Sequence, residues 1–244
     1  MRSSSREFRG IQDALFLIVF LIYLLTQAET IVWRDSAEFT VVAWGLDIAH
    51  SPGSPTFALF GKLVTLLPLG SIPFRVSLLS TFCSAVAAWF LFLWCSAVVR
   101  RIFGRVSGGA IAVGVLAFSL SRSAWEWGNA QEVYALRDLF FAAIGYLWVT
   151  GRYRPAAFLW GLSLGAHITM VLFVPGYLCA ILLGEGKGGR PAVKEVLLWV
   201  TLAILGGSVF LYLPLRSGAQ LPLDIGDPQT WGRMIRHMFV TSDA

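Results

Sequence analysis

The sequence predicts an all-α polytopic membrane protein, folded as a transmembrane helical bundle. Hydrophobic residues make up 57% of the 244-residue chain and charged residues only 14%, whereas soluble domains carry about 25% charge. The mean hydropathy is +0.70. Several apolar runs approach the roughly 20 residues that cross a bilayer as a helix. Most of these runs lack a polar face, which argues against a soluble protein with apolar core helices.

About seven apolar runs are predicted to be membrane-spanning helices. They occupy residues 13–26, 75–99, 108–120, 133–150, 155–166, 169–183 and 196–215. We interpret the first run as a retained anchor and not as a cleavable signal, because no small-residue cleavage pattern follows it.

Two of the segments outside these runs are predicted to be loops on the extracytoplasmic side. Residues 27–74 form a first extracytoplasmic loop with helical stretches, and residues 217–244 begin a later one. In the second segment, Asp227 and Pro228 are typical of an N-cap followed by proline at the first helical position. Beyond them, Trp231 begins an amphipathic stretch that predicts a helix on the membrane surface. The chain stops just past this stretch, so we expect a fragment, the N-terminal part of a larger transmembrane domain.

The basic clusters predict the orientation of the bundle. When the N-terminus is cytoplasmic, every cluster falls on the cytoplasmic side, as the positive-inside rule requires. The clusters are Arg2/Arg6/Arg9, Arg100/Arg101/Arg105, Arg152/Arg154 and Lys187/Arg190/Lys194. The acidic residues and histidines then collect on the extracytoplasmic face, where we expect the chemistry.

Charge and cysteine usage exclude other classes of protein. The net charge is +5, but no basic patch interleaves with groove-reading polar residues, so we expect no nucleic-acid partner. Cys83, Cys95 and Cys179 all lie inside apolar runs, which argues against a disulfide framework or a cysteine metal site. No metal-ligand cluster is evident, and we expect no required metal or other cofactor.

The first loop holds the strongest candidate for chemistry. Asp35 and Glu38 are three residues apart and share a face of a helix. They could supply a general base and its partner, or they could form a capping box at a helix start. His50 opens a Pro-Gly turn that could be purely structural or could approach a phosphate.

Other ionisable residues near the same face have two possible roles each. Arg122 and Arg137, with Glu126 and Glu132 between them, could form ion pairs at the membrane or belong to a functional site. Arg216 could extend to the interface or bind a lipid phosphate. His167, at the end of a short helix, could be a cap or core residue or a catalytic one.

These residues fall in motifs that together resemble one family in order and spacing. The motifs span residues 33–39, 50–55, 121–127, 132–136, 161–167, 213–217 and 226–231. They resemble a bacterial membrane family of unassigned function, whose eukaryotic relative is a transmembrane protein O-mannosyltransferase. Both look like members of the GT-C superfamily of polytopic glycosyltransferases. The resemblance covers nearly the whole chain, although the later spans of the family are missing.

The resemblance implies an inverting glycosyltransferase of the bacterial inner membrane, with its active site on the extracytoplasmic face. The donor would be a polyprenyl-phosphate-linked monosaccharide such as mannose, and the acceptor a hydroxyl of a protein or glycan, protein Ser/Thr among them. Asp35 matches the catalytic base and Glu38 the second acid of the motif. Donor-phosphate binding is assigned to Arg216, His50, Arg122 and His167. A transporter or flippase of lipid-linked sugars, or a membrane scaffold, are the alternative functions.

Overall fold

The described part of the chain is built from α-helices. The computed structural model describes residues 2–183 and 189–239, with side chains from Phe8 onward. Met1, Lys187, residues 240–244 of the predicted later loop and the side chains of Arg2 and Arg6 lie outside the described part. The helices are α1 (Arg2–Thr26), α2 (Ser36–Gly45), α3 (Pro55–Thr65), α4 (Ile72–Phe103), α5 (Gly108–Ser119), α6 (Arg122–Gly128), α7 (Tyr134–Val149), α8 (Tyr153–Leu164), α9 (Val174–Leu183), α10 (Val193–Gly207), α11 (Tyr212–Ser217) and α12 (Trp231–Phe239). Short 3-10 segments at Ile168–Phe173 and Ser208–Leu211 lead into α9 and α11. Among the described residues there is no β-strand, and one isolated bridge joins Ile48 to Asp224.

All seven predicted apolar segments are helical, which confirms the all-α class. Three of them have the length and hydropathy of a membrane span: Phe8–Thr26, Ile72–Phe103 and Val193–Ser217. Gly108–Ser119 and Ile168–Leu183 are apolar but shorter. The exposed side chains of the long helices are largely apolar, as Leu25 at 83% and Ile204 at 68% illustrate, and such faces suit contact with lipid. The number of seven crossings stays a prediction.

Helix α4 is the central element of one half of the bundle. It packs against α1, α5 and α7, and α7 in turn contacts α8. Leu15 and Val19 of α1, Phe92 of α4 and Val115 of α5 form one buried cluster. A larger cluster lies under the first loop, where Phe39 of α2 packs with residues of α3, α4, α7 and α11.

Helices α8 and α10 pack with their backbones in contact. A Cβ atom on Gly161 would lie 1.9 Å from the carbonyl oxygen of Ala203, and one on Gly206 would lie 2.1 Å from that of Phe158. Small residues permit this close approach between membrane helices. The α8–α10 interface therefore depends on glycine at both positions.

The first loop and the basic connections lie at opposite ends of the bundle. Helix α4 starts beside the first loop and, at 32 residues, extends about 48 Å. At its far end Arg100 lies over the ring of Phe8, and Arg101 donates to the carbonyl of Val149 at 3.4 Å. The starts of α8 and α10 are joined by an ion pair between Arg154 and Glu195, at 2.7 Å.

The last described helix differs from its prediction in two ways. Asp227 is not its N-cap, because α12 begins at Trp231 and Thr230 accepts hydrogen bonds from the first-turn amides. The Asp227 carboxylate instead pairs with Arg233. In addition, the helix buries Met234 and His237 against the first loop, while Trp231 remains 64% exposed. This helix therefore covers part of the protein as well as presenting an apolar face outward.

Candidate functional site

Helix α2 carries both acids of the first-loop motif. Asp35 immediately precedes the helix, and Glu38 lies in its first turn. The Asp35 side chain makes no capping hydrogen bond to the helix amides, so the capping-box interpretation is wrong. The carboxylate of Asp35 is exposed and accepts no hydrogen bond from any group in the described part of the chain. It is therefore available to a substrate.

Glu38 is held by the turn that begins at His50. Its Oε1 atom accepts hydrogen bonds from the backbone N–H of His50 at 2.6 Å and pairs with Nδ1 of the same residue at 2.8 Å. The hydrogen bond to Glu38 raises the pKa of His50. Burial would raise the pKa of Glu38, but its hydrogen bonds with His50 outweigh burial and lower it. Both groups are thus biased toward their charged forms.

Three side chains that can ligate a cation meet at this point. One oxygen each of Asp35 and Glu38 and a ring nitrogen of His50 all lie within 4.8 Å of one another. The spacing of these residues in the sequence did not reveal the cluster, since folding of the loop brings His50 back to α2. This donor set is of the kind that can hold a metal ion, and the contact with Glu38 favours a positive charge on His50 at the same point.

Glu132 adds a third carboxyl beneath the cluster. It lies between α6 and α7, is 2% exposed, and its Oε2 atom has no hydrogen-bond partner in the described part of the chain. Burial and the neighbouring charge of Asp35 raise its pKa to about 7, against the opposing effects of Arg34 and His50. A buried carboxyl with such a pKa can exchange a proton near neutrality.

A row of aromatic rings borders the acids. The ring centroids of Trp33 and Trp127 are 5.4 Å apart, those of Trp127 and Tyr134 are 4.4 Å apart, and His167 lies 5.3 Å from Tyr134. The guanidinium of Arg34 lies over both tryptophan rings, 4.3 Å from the centroid of Trp33 and 4.5 Å from that of Trp127. Both distances are within the range of a cation–π contact.

His167 caps the 3-10 segment that follows it. Its Nδ1 accepts a hydrogen bond from the backbone N–H of Thr169 at 3.2 Å. Of the roles expected for His167, as a cap, a core residue or a catalytic residue, this contact confirms the cap. Burial, followed by the charges of Arg137 and His50, lowers its pKa to about 4. His167 is therefore neutral near pH 7, and it acts on neighbouring groups as a dipole and not as a charge.

The two arginines predicted to bind phosphate are placed differently from each other. Arg216 donates from Nε to the carbonyl of Leu46 at 2.9 Å and from Nη2 to that of Gly45 at 3.0 Å, so it closes the end of α2. The side chain of Arg122 is 92% exposed and pairs with Glu126 on the same helix. Arg216 is thus committed partly to structure, and Arg122 lies on the surface of α6.

Sequence reasoning omitted Arg34, Glu132 and His237 from the site. Arg34 adjoins Asp35, and Glu132 was noted as an ionisable residue near the membrane, so both had a signal in the sequence. No sequence pattern indicated His237, because its contact is long-range. Its Nε2 lies 3.0 Å from the carbonyl oxygen of Ala49, next to the His50 turn. Ser51 strengthens this contact by donating its hydroxyl to the carbonyl of His237 at 2.5 Å.

Comparison with known proteins gives the chain its family. The model of the protein O-mannosyl-transferase TMEM260 N-terminal domain matches residues 35–187. Protein O-mannosyl-transferase TMEM260 of Mus musculus is 35% identical over 244 residues, covering 93% of this chain and 33% of the relative. Protein O-mannosyl-transferase tmem260 of Dictyostelium discoideum is 23% identical over 231 residues, covering 82% of this chain and 26% of the relative.

The chain spans about a third of the length of the mouse relative and about a quarter of the other. No solved structure matches it. The family match begins at Asp35, the first acid of the cluster, and includes Glu38, His50, Glu132 and His167. The chain is therefore a membrane protein that belongs to the protein O-mannosyl-transferase TMEM260 N-terminal domain family.

Proposed function

We propose that this chain carries the catalytic base and donor site of a glycosyltransferase of GT-C type. The enzyme would move a monosaccharide, with mannose the first candidate, from a polyprenyl-phosphate donor to a hydroxyl acceptor such as a protein serine or threonine. The names of the relatives, which describe protein O-mannosyl transfer, support the reaction class. The residues that support a site for it are the acids of the first loop.

The observation that carries the proposal is the pairing of a free acid with a fixed one. Asp35 is exposed and unbonded within the described residues, whereas Glu38 is held by two contacts with His50. A hydroxyl is a weak nucleophile and requires a positioned base. Asp35 is free to accept the hydroxyl proton, and the Glu38–His50 pair keeps the start of α2 in position.

The reaction would be a single displacement at the anomeric carbon. The acceptor oxygen attacks that carbon, its proton passes to Asp35, and the bond to the donor phosphate breaks with its electron pair left on the phosphate oxygen. One displacement inverts the configuration of the sugar. The leaving phosphate gains charge, and nearby cations such as His50 and Arg34 would stabilise it.

The proposed site needs no metal. His50 is biased toward its protonated form by Glu38, and a metal ligand would have to be neutral. We accordingly expect chelation with EDTA to leave transfer unchanged. We also propose that the first loop faces away from the cytoplasm, on the strength of the basic residues at the opposite end of the bundle.

The test is sugar transfer by the full-length protein with a short-chain polyprenyl-phosphate mannose and acceptor peptides. Replacing the base in Asp35→Asn should lower the rate by about a hundredfold to ten-thousandfold. Glu29→Gln, an exposed acid of the same loop, is the matched control and should retain the wild-type rate. Wild-type activity in Asp35→Asn would refute the base assignment, and movement of the lipid-linked sugar across the bilayer without transfer would favour a flippase.

A further inference from the structure

An apolar cavity lies within the helices on the membrane side of Trp127. It has a volume of about 200 Å³ and is lined by residues of α1, α4, α5, α6 and α7. Its apolar lining includes Ala87, Leu91, Phe118, Trp127 and Phe141. An apolar cavity of about 150 Å³ already binds a small hydrocarbon such as benzene, so this one can accept a hydrocarbon group.

The cavity has access to the surrounding lipid at its rim. Phe118 is 54% exposed and Phe141 is 48% exposed, so both rings lie partly inside the cavity and partly on the outer surface of the bundle. One charged residue, Asp138, also lines the cavity, and its carboxylate is paired with Arg137 at 2.7 Å. An entering hydrocarbon chain would therefore meet no uncompensated charge there.

Trp127 connects the cavity to a cation. The residue lines the cavity, and the guanidinium of Arg34 lies 4.5 Å from its ring centroid. Arg34 is exposed, and its guanidinium makes no ion pair or hydrogen bond with the described residues, so its N–H groups are available to an anion. A guanidinium suits a phosphate because it can donate two parallel hydrogen bonds.

We infer that this cavity binds the first isoprene units of a polyprenyl-phosphate donor and that Arg34 binds its phosphate. This inference rests on the proposed function and names the donor subsite. A bilayer phospholipid separates its phosphate from its acyl chains by a glycerol unit, whereas a polyprenyl phosphate joins the two directly. Direct attachment fits the geometry, since a single tryptophan separates the cavity from Arg34.

The placement also relates the donor to the proposed base. Arg34 and Asp35 are adjacent in the chain, so a phosphate on Arg34 brings the attached sugar to the exposed carboxylate. The cavity is too small for a complete polyprenyl chain, and the remaining units would leave between Phe118 and Phe141 into the lipid. By binding the phosphate, Arg34 thus determines how far the donor's hydrocarbon chain enters the cavity.

Photo-crosslinking tests this subsite independently of sugar transfer. The probe is farnesyl phosphate with a diazirine on its hydrocarbon chain, added to the full-length protein in detergent. We expect crosslinks to the cavity-lining residues of α4 and α7. Arg34→Ala should reduce labelling about tenfold through loss of a charge-assisted contact, and Ala87→Phe should block the cavity to a similar extent. Val113→Phe, on a lipid-facing position that is 68% exposed, and Arg105→Ala, at the far end of the bundle, should label as wild type.

Three outcomes would overturn the inference. Labelling outside the cavity would exclude the site, and equal competition by phosphatidylglycerol would assign the cavity to ordinary lipid. Equal labelling by the corresponding farnesol probe would remove the role of Arg34. Because the probe carries no sugar, cavity labelling without any transfer activity would refute the proposed function and leave the binding site intact. Matching gel-filtration profiles of the variants show that each is folded.

Discussion

Ionisation of Glu132 should make the stability of the protein depend on pH. This carboxyl is 2% exposed and has an unpartnered oxygen among the described residues. Below about pH 4.5 it is protonated in both the folded and the unfolded chain and carries no penalty. As pH rises, the unfolded chain ionises first, so folding stability falls until the folded carboxyl ionises near pH 7. Replacing the acid in Glu132→Gln should remove this dependence.

The size of the effect follows from the two pKa values. An increase from 4.5 to about 7 corresponds to about 3 kcal/mol at about 1.4 kcal/mol per pH unit. For a domain of 150–250 residues, about 3 kcal/mol shifts Tm by roughly 6–12 °C. We therefore expect the wild type to lose about this much Tm between about pH 5 and about pH 8 relative to Glu132→Gln.

Scanning fluorimetry of both proteins in detergent at the two pH values measures this difference. The pKa of His50 is raised and that of His167 is lowered to about 4, so both also titrate, with opposite effects on stability. Both are present in the variant, so their contributions cancel in the comparison, apart from the small part of the His50 shift that comes from the charge of Glu132. If Tm falls by the same amount between the two pH values in the wild type and in Glu132→Gln, ionisation of Glu132 does not destabilise the folded protein and this prediction is refuted.

Two further variants test the packing and the role of Arg216. Gly161→Ala would place a Cβ 1.9 Å from a backbone oxygen of α10 and should destabilise the protein by about 1–3 kcal/mol. The control is Gly114→Ala, whose Cβ meets nothing within 4 Å and which should leave Tm the same or slightly higher. Equal Tm values for the two variants would contradict the close α8–α10 contact. Arg216→Met should lose about 1–3 kcal/mol because the carbonyls of Gly45 and Leu46 lose their donors. An unchanged Tm with a higher KM for the donor would instead assign Arg216 to phosphate binding.

The helices and their order could be predicted from the sequence because hydropathy is a local property. Each predicted apolar run is helical, and most boundaries differ by a few residues, as in Ile72–Phe103 against the predicted 75–99. The first helix is the exception, since it begins at Arg2 and not at residue 13. The N-cap of the last helix was predicted wrongly, because the Asp227–Pro228 pattern is equally local but Asp227 pairs with Arg233 instead. A side chain that can cap a helix can also bind a nearby cation, and only the fold selects between the two.

The acidic pair of the candidate site was also visible in the sequence, since Asp35 and Glu38 are close along one helix. The residues that surround this pair could not be predicted from the sequence. The contact of Glu38 with His50 crosses 12 residues, and Glu132 approaches from a different part of the chain. These contacts depend on how the first loop folds back onto α7, and periodicity carries no information about that path.

The sequence by itself therefore determined a helical membrane protein with an acid pair in its first loop, because burial in lipid demands long apolar helices and excludes unpaired charges from them. The tertiary structure alone decided which cation lies beside the acids. It placed Arg34 over the rings of Trp33 and Trp127 at the edge of the apolar cavity, and it placed Arg216 at the end of α2, where it binds the backbone carbonyls. The reason is physical: an arginine's partner is set by distances across the fold, to which separation along the chain is no guide.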